Sequence, residues 1–311
     1  MNGFARILVA VVAGFLGSRF AWLLLRNMFA SPALQRENYR SHSVATAGGI
    51  SVVVSVLLVE AVRGVLHGLG IGDEVTPIRM LTLLLVFGFG FLGLNDDLAA
   101  HGSERGFRGH LRALREGSLT TGGLKLMGGG MLAVLLIANA NANAFAPSRN
   151  TGLGYLLVDA FIVALGANTA NLLDRAPGRT TKVGVFGFLL LVGGVVLLGT
   201  GTAGLRELVT VAVVVGGFLG LLHEEFRERV MLGDTGANVL GATLAFGVAL
   251  NASLRARIVV GVVLLALNVM SEFMSFSRII ESVGPLRWLD SLGRARPSHE
   301  NSRRGRRTDR P

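Results

Sequence analysis

The sequence predicts an all-α, polytopic integral membrane protein, a bundle of about nine to ten transmembrane helices. Three observations carry that prediction. Hydrophobic residues fill 51% of the 311 positions and charged residues only 16%, whereas soluble domains average about 25% charged. Mean hydropathy is +0.56. Apolar runs near the ~20 residues that cross a hydrocarbon core recur along the chain. Cysteine is absent, which excludes a disulfide framework, a thiolate metal centre and a cysteine nucleophile.

The spans are read in order as 4–25, 46–66, 79–98, 122–139, 152–171, 183–200, 206–222, 235–251 and 256–276. No small-residue cleavage site follows the first, so it is retained as a span; its Arg19 can snorkel toward headgroups. The second opens on Gly48-Gly49, suited to close helix packing or to backbone approach by a ligand, and carries Glu60, read as a solvated end residue. The third alternates glycine with large apolar residues from Phe87 to Gly93, a pattern for tight packing, and ends in Asn95-Asp96-Asp97. Lys125 lies just inside the fourth. The fifth ends in Asn168-Thr169-Ala170-Asn171-Leu172-Leu173-Asp174. The sixth and seventh are Val-, Leu- and Gly-rich, and the mixed-charge stretch His223 to Arg229 after them reads as solvated surface. Gly233-Asp234-Thr235-Gly236 opens the eighth, and Glu272, near the end of the ninth, is placed either to pair with Arg278 or to line a polar cavity between the helices. Residues 1–293 form one transmembrane domain; 294–311, with Arg303, Arg304, Arg306 and Arg307, form a basic tail expected to be disordered.

The net charge of +10 would suggest nucleic acid in a soluble protein. Here the positive-inside rule accounts for it. Arg105, Arg108, Arg112 and Arg115 share one loop, and Arg175, Arg179 and Lys182 another, whereas the opposite loops hold scattered residues such as Arg63, Arg79 and Arg206. The N-terminus is therefore expected outside, and the three acidic motifs at the cytoplasmic face of the cell membrane.

Those motifs bear the chemistry. Two adjacent carboxylates, Asp96 and Asp97, at a helix C-terminus add to a dipole that is already negative, so a cation is expected to offset them. Asn168, Asn171 and Asp174 fall on one helical face; such groups are costly against lipid and should face a polar cavity. Asp234 at a helix start is by itself an ordinary N-cap. Lys125 and Lys182 are the chain's two lysines among thirty basic residues, a bias that fits point-charge contacts to phosphate; Thr180 and Thr181 stand beside the second. Carboxylates, amides and a lysine at a membrane surface suit Mg²⁺ and a phosphorylated ligand, because Mg²⁺ takes one or two protein oxygens plus substrate phosphates.

From about residue 38 to 241, the order Asn38-x-Arg40 to Gly48-Gly49-Ile50, Asp96-Asp97, Asn168-x-x-Asn171-x-x-Asp174 and Gly233-Asp234-x-Gly236 resembles the polyprenyl-phosphate N-acetylhexosamine-1-phosphate transferases, the MraY- and WecA-type enzymes. The resemblance implies transfer of a sugar-1-phosphate from a UDP-sugar to polyprenyl (undecaprenyl) phosphate, with release of UMP, for envelope glycan synthesis. It implies Mg²⁺, with Mn²⁺ as the substitute ion, held by Asp234 and Asn171. Asp96 and Asp97 would orient or deprotonate the lipid phosphate, Lys125 steady phosphates, and Asn168 and Asp174 shape the nucleotide pocket. The implied partners are polyprenyl phosphate, the UDP-sugar, membrane lipids and a second copy in a homodimer, with no nucleic acid. Asp174 is followed by Arg175-Ala176-Pro177-Gly178 where the family continues Gly-x-Asp-Gly, the family's histidine-rich last loop is absent, and no tenth span is visible. A divergent branch is expected. The competing readings are a catalytically degenerate homologue that binds lipid phosphate as scaffold or regulator, and an ion-coupled transporter. The latter would place carboxylates near the midplane rather than at the interface.

Overall fold

The computed structural model describes residues 2–38, 40–72, 74–99, 115–117, 120–142, 152–197 and 201–294. The Arg/Gly-rich stretch at 100–114 and the tail from 295 lie outside them. Among the described residues nine long helices build the bundle: α1 (Gly3–Leu25), α2 (Gly49–Gly68), α3 (Pro77–Ala99), α4 (Thr121–Ala142), α5 (Leu153–Leu173), α6 (Arg179–Leu197), α7 (Gly201–Phe226), α8 (Gly233–Asn251) and α9 (Leu254–Ser271). Each predicted span falls on one of them. Eight are long and apolar enough to cross a membrane. The ninth, α8, packs against α2, α3, α5, α6 and α7 and is buried along most of its length. The outward faces of the other helices, with Leu8, Leu24, Phe91, Met131, Phe186 and Val259 exposed, are the surface lipid requires. The chain is an integral membrane protein.

Small residues set the closest approaches. A Cβ on Gly14 would stand 2.0 Å from the Val213 carbonyl, and one on Gly216 2.1 Å from that of Val11, so α1 and α7 meet backbone to backbone. Ser55 seals the seam by donating to the Gly14 carbonyl at 2.8 Å. Without a hydrophobic drive between helices in lipid, such van der Waals closeness and interhelical hydrogen bonds hold the bundle.

Four features differ from the sequence reading. The loop after α1 contains a two-stranded antiparallel hairpin, β1 (Gln35–Glu37) with β2 (Ser43–Ala45). Met231 donates to the Ala45 carbonyl and Gly48 back to the Met231 carbonyl, at 2.8 and 2.9 Å, which ties this loop to the segment before Asp234. Glu60 is buried, bound to Arg79 at 2.7 Å and to Arg63; a carboxylate at this depth needs a partner, and a guanidinium 19 residues away supplies it. Glu224 and Glu225 are buried too. Glu224 takes Arg19 at 2.8 Å, so that arginine pairs within the bundle, and Glu225 accepts from Thr181 at 2.9 Å. After α9 the chain makes two short helices, α10 (Phe276–Ser282) and α11 (Gly284–Ser291), in place of a tenth span.

Candidate functional site

The site is assembled at the start of α8. Gly233 takes a left-handed turn (φ +67°), and a side chain there would collide with Asp97. Asp97 reaches across from α3 and accepts from the Asp234 and Thr235 N–H groups at 2.9 and 3.0 Å, and from the Thr235 hydroxyl at 2.6 Å. It therefore caps α8 from another helix, meeting the orphan donors and positive dipole of a helix start. Asp234 is not the N-cap that its position suggested. Relieved of that task, its carboxylate is free to point away from its own backbone. Two glycines allow the packing: a Cβ on Gly93 would lie 2.4 Å from the Asp234 carbonyl, and one on Gly49 2.2 Å from the Gly236 nitrogen. The Gly48-Gly49 pair is thus a helix-packing device.

The Asp234 carboxylate forms an ion pair with Lys125 of α4, whose ammonium also lies 3.7 Å from Asp96. With its amide oriented to satisfy both neighbours, Asn171 donates to Asp234 Oδ1 at 2.7 Å and accepts from Lys125 Nζ at 2.8 Å. Oxygens from α3, α5 and α8 converge on one ammonium. Asp96, Lys125 and Asn168 line a cavity of about 280 Å³ together with the apolar Phe89, Leu126 and Ala164. Asn168 donates to Asn268 of α9 at 2.5 Å. Asp174 caps α5 and faces a different cavity of about 330 Å³, with Asn38, Arg175 and Glu228. It takes a 3.3 Å hydrogen bond from Thr180. Burial, and then the charges of Asp234 and Asp97, push its carboxyl up to about 7 against the Thr180 and Gly233 donors.

Lys182 is the exception among the residues singled out in the sequence. Its ammonium donates to the carbonyls of Asp290, Leu289 and Leu292, at 2.6, 2.9 and 3.2 Å, closing the C-terminus of α11. Arg179 grips the same helix through both Asp290 oxygens at 2.9 Å. Burial alone would raise the Asp290 carboxyl, but Arg179 and Arg294 hold it below its ordinary range. In place of the phosphate contact expected of it, Lys182 makes a structural one, to carbonyls at the negative end of a helix.

Two residues of the site, Asn238 and Asn268, were not singled out in the sequence as its members, whereas Glu272 takes one of the two places read for it, on the cavity lining. Glu272 and Asn238 line the first cavity, and Asn268 bridges Asn168 to Thr169, donating to the latter at 2.8 Å. Asn238 lies four residues after Asp234 and so on the same face of α8, the signal that could have found it. It is 1% exposed, and neither its amide nitrogen nor its oxygen has a partner.

The donor set fits a hard divalent cation. Its members are carboxylate and amide oxygens, and the ammonium of Lys125 stands at the point where they meet. Among the described residues no group of three acidic or histidine side chains could hold a metal alone. Mg²⁺ is a cation that binds through few protein oxygens and completes its shell with phosphates and water.

The chain is 28% identical over 251 residues to the phospho-N-acetylmuramoyl-pentapeptide-transferase of Moorella thermoacetica, an alignment covering 77% of this chain and 72% of that one. It is 24% identical over 257 residues to the enzyme of the same name from Bacillus subtilis, covering 76% and 73%. No protein-family model matches the chain.

Proposed function

We propose, from its place as a divergent relative of the polyprenyl-phosphate N-acetylhexosamine-1-phosphate transferase superfamily, that this chain moves a sugar-1-phosphate from a UDP-sugar to a polyprenyl phosphate. The observation that carries the reading is the convergence of Asp96, Asn171 and Asp234 on Lys125 beside a cavity lined by both polar and apolar residues. An anionic lipid phosphate fits the polar residues, and its first prenyl units fit against Phe89, Leu126 and Ala164. The site is assigned to the cytoplasmic face, where UDP-sugars are made.

In the proposed reaction an oxygen of the lipid phosphate attacks the β-phosphorus of the UDP-sugar. The bond to the oxygen bridging the two phosphates breaks, and UMP leaves with that oxygen. Asp96, at the cavity wall, orients the attacking phosphate and takes its remaining proton; that proton is weakly held, so no strong base is required. Asp97 acts through Asp234, since both its oxygens are committed to α8. Lys125 exchanges Asp234 for a substrate phosphate, leaving Asp234 and Asn171 to hold Mg²⁺. The ion, when bound, neutralises the diphosphate and the departing oxygen. Asn168 and Asp174 border the two cavities between which the nucleotide and sugar are divided.

The test is UMP release from a panel of UDP-sugars by the purified full chain, with undecaprenyl phosphate and Mg²⁺ and with Asp234→Asn as control. Release from one donor that the substitution abolishes supports the reading and names the sugar. A folded protein that retains undecaprenyl phosphate but releases no UMP from any donor would make it a lipid-phosphate binder.

A further inference from the structure

The end of the bundle remote from Asp234 carries charge that the transferase reading does not use. Arg6 of α1, Arg63 of α2, Arg79 of α3 and Arg206 of α7 line one chamber of about 270 Å³ with Glu74 and Thr76. Glu60 lies beneath it, bound to Arg63 and Arg79. Its walls carry four guanidinium groups and the Glu74 carboxylate, above the Glu60 that Arg63 and Arg79 share. Arg63, Arg79 and Arg206 are among the few basic residues assigned to this side of the membrane, and the fold gathers all three.

The chamber opens into an apolar groove. Arg6, Arg63 and Val209 border both spaces. The groove, about 650 Å³, runs between α1, α2 and α7 past Ala10, Ala13, Leu16, Leu58 and Val62, and ends at Phe20. Arg6 to Phe20 is about 21 Å of helix at 1.5 Å per residue, somewhat more than one leaflet's ~15 Å share of the hydrocarbon core. An apolar trough of leaflet length with cations at its mouth matches one kind of ligand, a chain with an anionic head.

We propose that this is a binding site for an anionic glycerophospholipid of the leaflet opposite the catalytic centre. One acyl chain lies along α1 in the groove, and the phosphodiester sits among Arg6, Arg63 and Arg206. The buried Arg79–Glu60 pair forms the floor. Guanidinium groups suit this task, since their planar fork meets two phosphate oxygens at once. The site is independent of the sugar-phosphate chemistry and stands or falls without it.

The experiment is native mass spectrometry and thermal unfolding of the full chain in neutral detergent, with dioleoyl phosphatidylglycerol, dioleoyl phosphatidylcholine or glycerol-3-phosphate. Phosphatidylglycerol is expected to be retained and to raise the unfolding midpoint, with phosphatidylcholine retained far less. Arg6→Gln and Arg206→Gln should each weaken retention about fivefold, the scale of one basic residue at an anionic surface. Ala13→Trp, which fills the groove and leaves the arginines in place, should abolish it. Equal retention of both lipids, or phosphatidylglycerol binding untouched by Ala13→Trp, would overturn the proposal. Stabilisation by glycerol-3-phosphate alone would overturn it in favour of a soluble anion. A dimer that Ala13→Trp dissociates, with no lipid retained, would overturn it in favour of a second copy of the chain.

Discussion

At one end of α3, Arg79 is buried against Glu60 with both its charge and its donors met. At the other end, Asp96 shares Lys125 with Asp234, and Asp97 and Asp174 lie close behind. The first pair is closed: Arg79 and Glu60 each have a partner fixed by packing. Among the described residues the second holds more carboxylate than cation, at the rigid approach of α2, α3 and α8. A closed cluster serves architecture, whereas an unbalanced one, held preorganised, is an electrostatic site awaiting a positive ligand. The difference is experimentally separable, because substitutions at the two ends should move different observables.

The largest effect is expected on activity at the unbalanced end. Asp234→Asn should lower UMP release by about 10²–10³-fold or more, the scale for removing one preorganised electrostatic contact, while the unfolding midpoint stays near that of the parent. A large loss of stability would show instead that Asp234 is as architectural as Glu60. At the closed end the reverse is expected. Glu60→Gln leaves Arg79 buried without its counter-charge and should cost about 3–5 kcal/mol of stability, with Mg²⁺ dependence of the remaining folded enzyme unchanged. Unfolding curves and a Mg²⁺ titration on the same preparations decide it.

Asp96 and Asp97 sharpen the contrast within a single dipeptide. Asp97 has an architectural job, and Asp97→Asn should cost about 1–2 kcal/mol as a lost helix cap together with activity. Asp96→Asn should lose activity alone. Equal stability losses for the two would sink the division of roles. Asn238 offers the opposite sign. Its buried amide lacks partners, and each unmet group costs about 1–3 kcal/mol. Asn238→Leu should therefore raise the unfolding midpoint while weakening the response to lipid phosphate. A stability loss would mean that the amide is already satisfied in the free protein.

How much of this was legible follows from the range of each interaction. The nine spans were readable because membrane helices satisfy their backbones within one segment and must be apolar along it. Glycine alternation from Phe87 to Gly93 foretold a close neighbour for the same local reason. The meeting of Asp96, Asn171, Asp234 and Lys125 was foreseeable only as co-location at one interface. What the sequence could not disclose was long-range partnership. Glu60 and Arg79, Glu224 and Arg19, or Lys182 and the α11 carbonyls become pairs only once helices distant in sequence pack together. The β1–β2 hairpin was hidden likewise, since its three-residue strands are too short for a periodic signal and are stabilised by Met231. Asp97 is the instructive case: from sequence it looked like half of a carboxylate pair awaiting a cation, and the charge it meets is the start of α8.

The smallest effect concerns pH, and its sign follows from Asp174. With its folded carboxyl at about 7 against an ordinary 3.8, the folded protein retains a proton there that the unfolded chain gives up. Stability should therefore fall as pH rises from about 4 through 7 and level off above, by linkage. Burial beside Asp234 and Asp97 is the cause, so the slope belongs to the metal-free protein; a cation at Asp234 would offset the repulsion and flatten it. Unfolding midpoints measured in chelator between pH 5 and 8 should show the decline, and Asp174→Asn should make it shallower. Asp290 provides the internal control. Arg179 and Arg294 hold it below the usual range, so its contribution is fully present above pH 3.8 and is lost only at lower pH, outside this window. An Asp174→Asn protein that keeps the full slope would assign the uncompensated charge to another carboxylate of the cluster, and the two ends of α3 would then differ by more than the residues named here.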